Sequence, residues 1–145
     1  MNKYQAVMDL ISQCPLVGSD AYFNFIDEKN TDSNTSLLTD SHGAFVKRYV
    51  DGDELKKFQC VIRQNKPLSR YSNTSENIEQ IQSVQEFLDW INEQGKIKNF
   101  PDFGDKCTVQ GIGTPDGVDY PMVAGIYEGT ALYSFPFEIL YVERK

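Results

Sequence analysis

The sequence predicts an α+β fold in which a mixed, mainly antiparallel sheet has its helices packed on one face. Three observations support this prediction. Residues 75–94 repeat apolar side chains at three- and four-residue spacing, as an amphipathic helix does. Residues 131–143 alternate large apolar side chains with other residues, which is the period of a strand with one buried face. Residues 51–53 (Asp-Gly-Asp) separate two further strand-like segments and favour a hairpin, because glycine adopts the positive φ that tight turns require.

The remaining segments predict a second helix and further strands. Apolar spacing predicts a helix over residues 3–14, which ends before Pro15 because proline disfavours helical geometry in the residue before it. Strand-like segments lie between polar or glycine-containing turns, at residues 21–27, 44–50, 54–63, 107–112 and 120–127. We expect Gly95 to end the long helix in the left-handed conformation and Pro136 to place the last strand at an edge or a bulge.

The length and composition predict a single domain, residues 1–145, of 16.5 kDa. Two stretches are polar and predict loops. The longer, residues 28–43, has few large apolar side chains, and loops of this length are usually functional or disordered. The shorter, residues 113–119, is expected to be exposed.

Charge and hydropathy argue against nucleic acids and membranes as partners. The formal net charge is −7 and the isoelectric point is about 4.6. Proteins that bind nucleic acids usually present a basic patch to the phosphates, and the sequence contains no such cluster. No apolar run approaches the roughly 20 residues of a membrane helix, and the amino terminus does not resemble a signal peptide. We therefore expect a protein that stays in the cytoplasm and has no membrane partner.

The sequence contains no recognisable catalytic or metal-binding signature. His42 is the only histidine, and no nucleophile motif of the GxSxG type occurs. The three cysteines, Cys14, Cys60 and Cys107, are far apart and are expected to be thiols rather than metal ligands or disulfides. We expect a protein that is not an enzyme and that has no cofactor and no metal. Two alternatives remain: a hydrolase that uses His42 with Cys60 or Cys107, and a small ligand-binding or regulatory domain.

Four stretches of the chain resemble a known family. They are the first helix ending in Cys14-Pro15-Leu16, KRYVDGDELKKFQCVI at residues 47–62, FLDWINEQGKIKNFPDFGD at 87–105 and ALYSFPFEILYVERK at 131–145. In layout and in these phrases the chain resembles the small tail-terminator proteins, also called tail-completion or minor capsid proteins, of tailed phages and prophages of Gram-positive bacteria.

This resemblance implies a structural role in the virion. Tail terminators are small α/β proteins that assemble as a hexameric ring on the last ring of major tail-tube subunits. They stop tube growth and present a surface to the head–tail connector protein, after assembly in the host cytoplasm. DNA would pass through the ring without specific binding, and the net negative charge suits such a passage because a basic lumen would retain phosphates. Another neck or head-completion protein, or a tail-tube component, is the alternative within the same class.

The polar loops and the hairpin tip are the predicted assembly interface, because such segments can become ordered against a neighbour. We expect residues 31–36 to be dispensable for folding of the monomer. The candidate interface residues are Asp32, Asn34, His42, Asp51, Asp53, Pro115 and Asp116.

Overall fold

The computed structural model describes residues 3–15, 21–23, 34–40, 45–67, 74–127 and 130–145. Two helices and seven strands occur in these residues. In chain order they are α1 (Lys3–Ile11), β1 (Ala21–Phe23), β2 (Asn34–Asp40), β3 (Phe45–Arg48), β4 (Glu54–Pro67), α2 (Thr74–Lys96), β5 (Cys107–Gly113), β6 (Met122–Tyr127) and β7 (Thr130–Glu143).

Two fourteen-residue strands, β4 and β7, form the centre of the sheet. They pair antiparallel along their whole length, from Glu54 opposite Glu143 to Pro67 opposite Thr130. On the other side of β4 lie β2 and β3, one after the other, and β1 pairs with β2 in parallel. On the other side of β7 lie β5 and β6. The sheet is therefore mixed and mainly antiparallel, and the α+β prediction is confirmed.

Both helices pack on the same face of this sheet. The alternating odd-numbered side chains of β7 from Tyr133 to Tyr141 are buried there, as the period-two pattern predicts. Phe135 stacks edge-on against Phe87 of α2, with ring centroids 5.6 Å apart. Tyr4 of α1 makes a similar contact with Phe58 of β4, at 5.5 Å. This helix-covered face holds the apolar core.

The opposite face of the two central strands is half-buried along much of its length, although Asn65, Leu132 and Ser134 are buried at one end of it. Val61 and Leu140 are partly exposed there, and the Nζ atom of Lys57 lies 3.6 Å from a carboxylate oxygen of Glu138 on the paired strand. The apolar Val61, which interrupts the alternation of its strand, therefore lies on the face without helices.

The prediction of a loop over residues 28–43 is wrong for its second half. Asn34–Asp40 forms β2, which lies inside the sheet between β1 and β4. Leu37 is 1% exposed and belongs to the core, and the Gln64 side-chain amide donates a hydrogen bond to Thr35 Oγ1 at 2.8 Å. The expectation that residues 31–36 are dispensable for folding stays untested, but the pairing of Asn34, Thr35 and Ser36 with β4 argues against it.

The end of α2 also differs from the prediction. Gly95 lies inside the helix and does not have a positive φ; the left-handed residue is Lys98, with φ 59°. The Asn99 N–H donates to the Gln94 carbonyl at 2.9 Å and the Lys98 N–H to the Gly95 carbonyl at 3.4 Å, which is the Schellman pattern. Glycine is needed at position 95 for another reason: a Cβ there would overlap the carbonyl oxygen of Ile112 on β5.

Pro136 does not place β7 at the edge of the sheet. β7 is central, and Pro136 pairs with Val61 of β4. On the other side of β7, the pairing with β6 ends at Ser134 and the pairing with β5 begins at Glu138. Pro136 thus lies at the gap between β6 and β5, where no residue of either strand is paired with it. The first helix also ends earlier than predicted, at Ile11.

Candidate assembly interface

The hairpin tip between β3 and β4 is held by its own aspartates. A carboxylate oxygen of Asp51 accepts the Asp53 N–H at 3.0 Å, and Gly52 adopts φ 96°. The Asp53 carboxylate accepts the backbone N–H of Lys145 at 3.1 Å, which ties the hairpin to the end of the chain. Asp51 is exposed and Asp53 is half-buried, and each of the two carboxylates already accepts a backbone N–H.

The loop after β5 is anchored to α2. The Asn92 side-chain carbonyl accepts the Thr114 N–H at 3.0 Å, and its amide donates to Thr114 Oγ1 at 3.2 Å. The Pro115 carbonyl accepts the Val118 N–H at 3.0 Å, which closes a turn. Asp116, in this turn, is exposed. The loop is exposed at Asp116, Gly117 and Asp119, half-buried elsewhere, and fixed at its start; Gly113, predicted to begin it, is the last residue of β5.

The structure does not bring the predicted interface residues together. Asn34 begins β2 opposite Asn65, toward the end of β4 that is distant from the hairpin tip. The loop with Pro115 and Asp116 follows β5, which ends beside Glu138 in β7. Asp32 and His42 lie outside the described residues. The described members of this set thus occupy three separate places on the sheet, and their role in assembly stays a prediction.

The cysteines are in different environments. Cys60 is 1% exposed in the core between the sheet and the helices, and Cys14 is also buried. Cys107 is half-buried, with its Sγ 4.0 Å from a carboxylate oxygen of Glu143. A thiol in the position of Cys60 is inaccessible to a substrate, which disfavours the pair of Cys60 with His42. In the part of the chain that the structure describes, no group of three or more metal-ligating side chains occurs, and no helix could span a membrane.

Charged residues near the start of β4 form a connected network. The Arg48 guanidinium donates to Glu54 at 2.9 Å, and this hydrogen bond holds the pKa of the Glu54 carboxyl below its usual value. Lys56 donates to Glu143 at 3.3 Å. Burial alone would lower the pKa of Lys56, but the hydrogen bond and the charge of Glu143 outweigh it and raise the pKa. Lys3 extends the network from α1, 3.9 Å from Glu143.

The other end of the two central strands buries polar groups. Lys66 is 6% exposed, and its Nζ lies 3.4 Å from Ser83 Oγ on α2. Burial lowers the pKa of this amine and raises the pKa of the Tyr133 hydroxyl nearby on β7. The Gln64 side-chain carbonyl, on the same face, has no hydrogen-bond partner among the described residues. These groups lie on the helix-covered face of the sheet and do not line an open cleft.

The described residues also present an exposed apolar surface that the predictions from sequence do not include. We call it the β6 edge; its residues are Tyr120, Met122, Val123 and Ile126, which are 78%, 60%, 47% and 67% exposed. β6 pairs with β7 on one side, and within the described residues no strand pairs with its other side. The sequence signal was the stretch YPMVAGIY at residues 120–127, which contains no charged residue.

A shallow groove separates the β6 edge from α2. It measures about 240 Å³ and is lined by Ile81, Gln82, Gln85, Tyr120 and Pro121. The Gln85 amide donates to the Asp119 carbonyl at 2.9 Å and so links the helix to the segment before β6. The apolar surface therefore continues from the strand onto the helix, where Ile78 is also exposed.

Acidic side chains border this surface, and we call Glu79, Glu86 and Asp119 the acidic rim. Glu79 and Glu86 lie three and four residues from Gln82 in α2, which makes them its neighbours on the helix surface. All three are exposed, and none forms an ion pair within the described part of the chain. The β6 edge thus combines an unpaired strand, large apolar side chains and uncompensated negative charge.

Neither a protein-family model nor a curated protein matches this sequence.

Proposed function

We propose that the chain is a structural subunit of a phage tail. In this proposal it assembles as a ring, of six copies by the family resemblance, on the last ring of major tail-tube subunits. The ring stops growth of the tube and forms the joining surface for the head–tail connector protein. The protein would act in the virion after assembly in the host cytoplasm, and it would be a structural component rather than an enzyme.

The observation that supports an assembly role is the β6 edge. A strand with unpaired N–H and C=O groups is a template for pairing with another chain, and proteins that remain monomeric usually protect such edges with charged residues or proline. β6 itself contains neither, although Pro121 comes directly before it and its pairing with β7 shifts register between Val123 and Gly125. It exposes Met122, Val123 and Ile126 together. Contiguous exposed apolar surfaces are a feature of protein–protein contact sites.

The identity of the assembly comes from the resemblance, and the charge is compatible with it. A net charge of −7 would leave a ring acidic on balance, so that DNA could pass through it without being retained. The absence of a specific DNA contact is therefore part of the proposal.

Growth of tail tubes in vitro tests this function. The proposal requires a major tail-tube protein from the same phage or prophage. That protein is polymerised alone and with the purified chain, and tube lengths are measured by electron microscopy. We expect the chain to shorten the tubes and to be visible at one end. Tubes of unchanged length would contradict the tail-terminator role, and tubes formed by the chain itself would indicate a tube component.

A pair of lysine substitutions connects this assay to the β6 edge. Val123→Lys should abolish the shortening, because it introduces a charge into the unpaired strand. Thr108→Lys is the matched control, since Thr108 is an exposed residue of β5 outside the β6 edge. If the two variants cap tubes equally well, the β6 edge takes no part in the function.

A further inference from the structure

We infer that the β6 edge of one copy pairs with the β3 side of the next copy, so that the sheets of neighbouring subunits join head to tail. The inference rests on the proposed ring and names the surfaces that would build it. A closed ring larger than a dimer needs two different, complementary surfaces on each subunit. The two surfaces are on opposite sides of the sheet: β6 lies beyond β7, and β3 lies beyond β4.

The β3 surface shares with the β6 edge an unpaired strand side and exposed apolar side chains. We call it the β3 edge; its residues are Val46, Lys47 and Val50, and all three are exposed. β3 pairs with β4 on one side, and the described residues provide no strand for its other side. Each edge therefore offers free backbone groups flanked by exposed apolar side chains, which is what strand addition requires.

Charge selects the β3 edge over a second β6 edge as the partner. Two β6 edges in contact would place the acidic rims of both copies together, and like charges across an interface are strongly unfavourable. The β3 edge instead presents Lys47, whose Nζ lies 5.2 Å from the centre of the Tyr49 ring and which has no ion pair within the described ranges. The neighbouring Arg48 adds positive charge, although Glu54 already pairs with it. Lys47 is thus the one unpaired cation described at this edge, and the exposed Asp51 follows Val50 directly. A β6–β3 contact brings Lys47 toward one acidic rim, whereas a β6–β6 contact brings two acidic rims together.

Cysteine cross-linking tests the pairing directly. The variants are Val46→Cys on the β3 edge and Val123→Cys on the β6 edge, both in a Cys107→Ser background that removes the most accessible native thiol. We expect mixed variants to form cross-linked dimers on oxidation, and a chain with both cysteines to form a ladder of oligomers. The matched control mixes Val46→Cys with Thr108→Cys, which is also exposed and should remain monomeric on denaturing gels.

Each outcome either supports or overturns the pairing. Efficient cross-linking of Val123→Cys with itself, and no dimer that contains Val46→Cys in the mixture, would show that β6 edges pair with each other and would overturn the inference. The oxidation is run on the free chain and on tube-bound chain. Capped tubes without a cross-link would overturn the pairing and leave the proposed function standing. Cross-linked chains that never affect tube length would leave the pairing standing and overturn the function.

A charge reversal provides a second, independent measurement. Lys47→Glu should weaken self-association by about tenfold or more, because it places a negative charge against the acidic rim of the next copy. Lys98→Glu makes the same charge change at the end of α2 and should leave association unchanged. Sedimentation or native mass spectrometry measures both. Equal association of the two variants, in the presence or absence of salt, would overturn the charge selection on which the inference depends.

Discussion

Replacing Gly95 with alanine should separate α2 from β5. A Cβ at position 95 would overlap the carbonyl oxygen of Ile112, which belongs to the backbone and cannot rotate away. Alanine improves helix propensity by about 0.5–1 kcal/mol relative to glycine. An extra methyl group in a packed contact costs about 1–3 kcal/mol, and an overlap with backbone lies in the upper part of that range. The overlap should therefore outweigh the propensity, and we expect the free energy of unfolding to fall by about 1–2 kcal/mol.

Chemical denaturation monitored by circular dichroism measures this change. Gly111→Ala is the matched control: this glycine lies in the adjacent strand, and among the described residues no atom lies within 4 Å of the position of its Cβ. The control should be as stable as the wild type or slightly more stable. A Gly95→Ala variant that equals or exceeds the wild type would show that α2 and β5 do not approach as closely as described.

The other predictions concern the core and two charged sites. Phe137→Ala should lower the free energy of unfolding by about 3–5 kcal/mol, because this side chain is fully buried in the core; a loss below about 1 kcal/mol in denaturant would be inconsistent with that. Arg48→Gln should return the lowered pKa of Glu54 toward its usual value, observed by NMR titration, and the stability from this pair should be lost as the pH falls through the folded-state pKa. Lys66→Met should raise the melting temperature near neutral pH, because burial penalises the charged amine of Lys66. In the wild type the stability should rise with pH between the lowered pKa and the usual lysine value of 10.5, and this rise should be absent from the variant.

The elements with strong side-chain periodicity could be predicted from the sequence. The buried odd-numbered face of β7 and the apolar face of α2 are confirmed, and so is the turn at Gly52. β2 could not be predicted, because its polar sequence NTSLLTD is stabilised by pairing on both sides and places few apolar residues in the core. Its strand character depends on the neighbouring strands, which a local pattern does not reveal.

Gly95 and Pro136 occupy special positions in the fold, as predicted, but for physical reasons other than the predicted ones. Gly95 lies near the end of α2, but the sequence cannot distinguish a glycine that caps a helix from one that permits a close approach to another backbone. Pro136 cannot donate a ladder hydrogen bond. Whether such a residue lies at the edge of the sheet or at a gap between two strands depends on where β5 and β6 end. Both outcomes are decided by tertiary contacts.

The candidate interface was the least predictable feature. Polar loops are the expected interface because they can become ordered against a partner. The hydrogen bonds of Asp53 with Lys145 and of Thr114 with Asn92 nevertheless fix parts of these segments within the chain. The sequence does not indicate that β6 is exposed, because an uncharged strand-like segment is typical of a buried strand. Only the sheet topology shows that Met122 and Ile126 lie at an open side of the sheet.

Removal of the gene tests the central proposal most directly. Lysates of cells that produce the phage without this chain are examined by electron microscopy, and the same strain with the chain supplied in trans is the control. We predict tails of irregular, excessive length and DNA-filled heads that are not joined to them, because nothing then stops tube growth. Normal tails beside unjoined heads would indicate a neck or head-completion protein instead, and normal tails joined to full heads would contradict the proposed function.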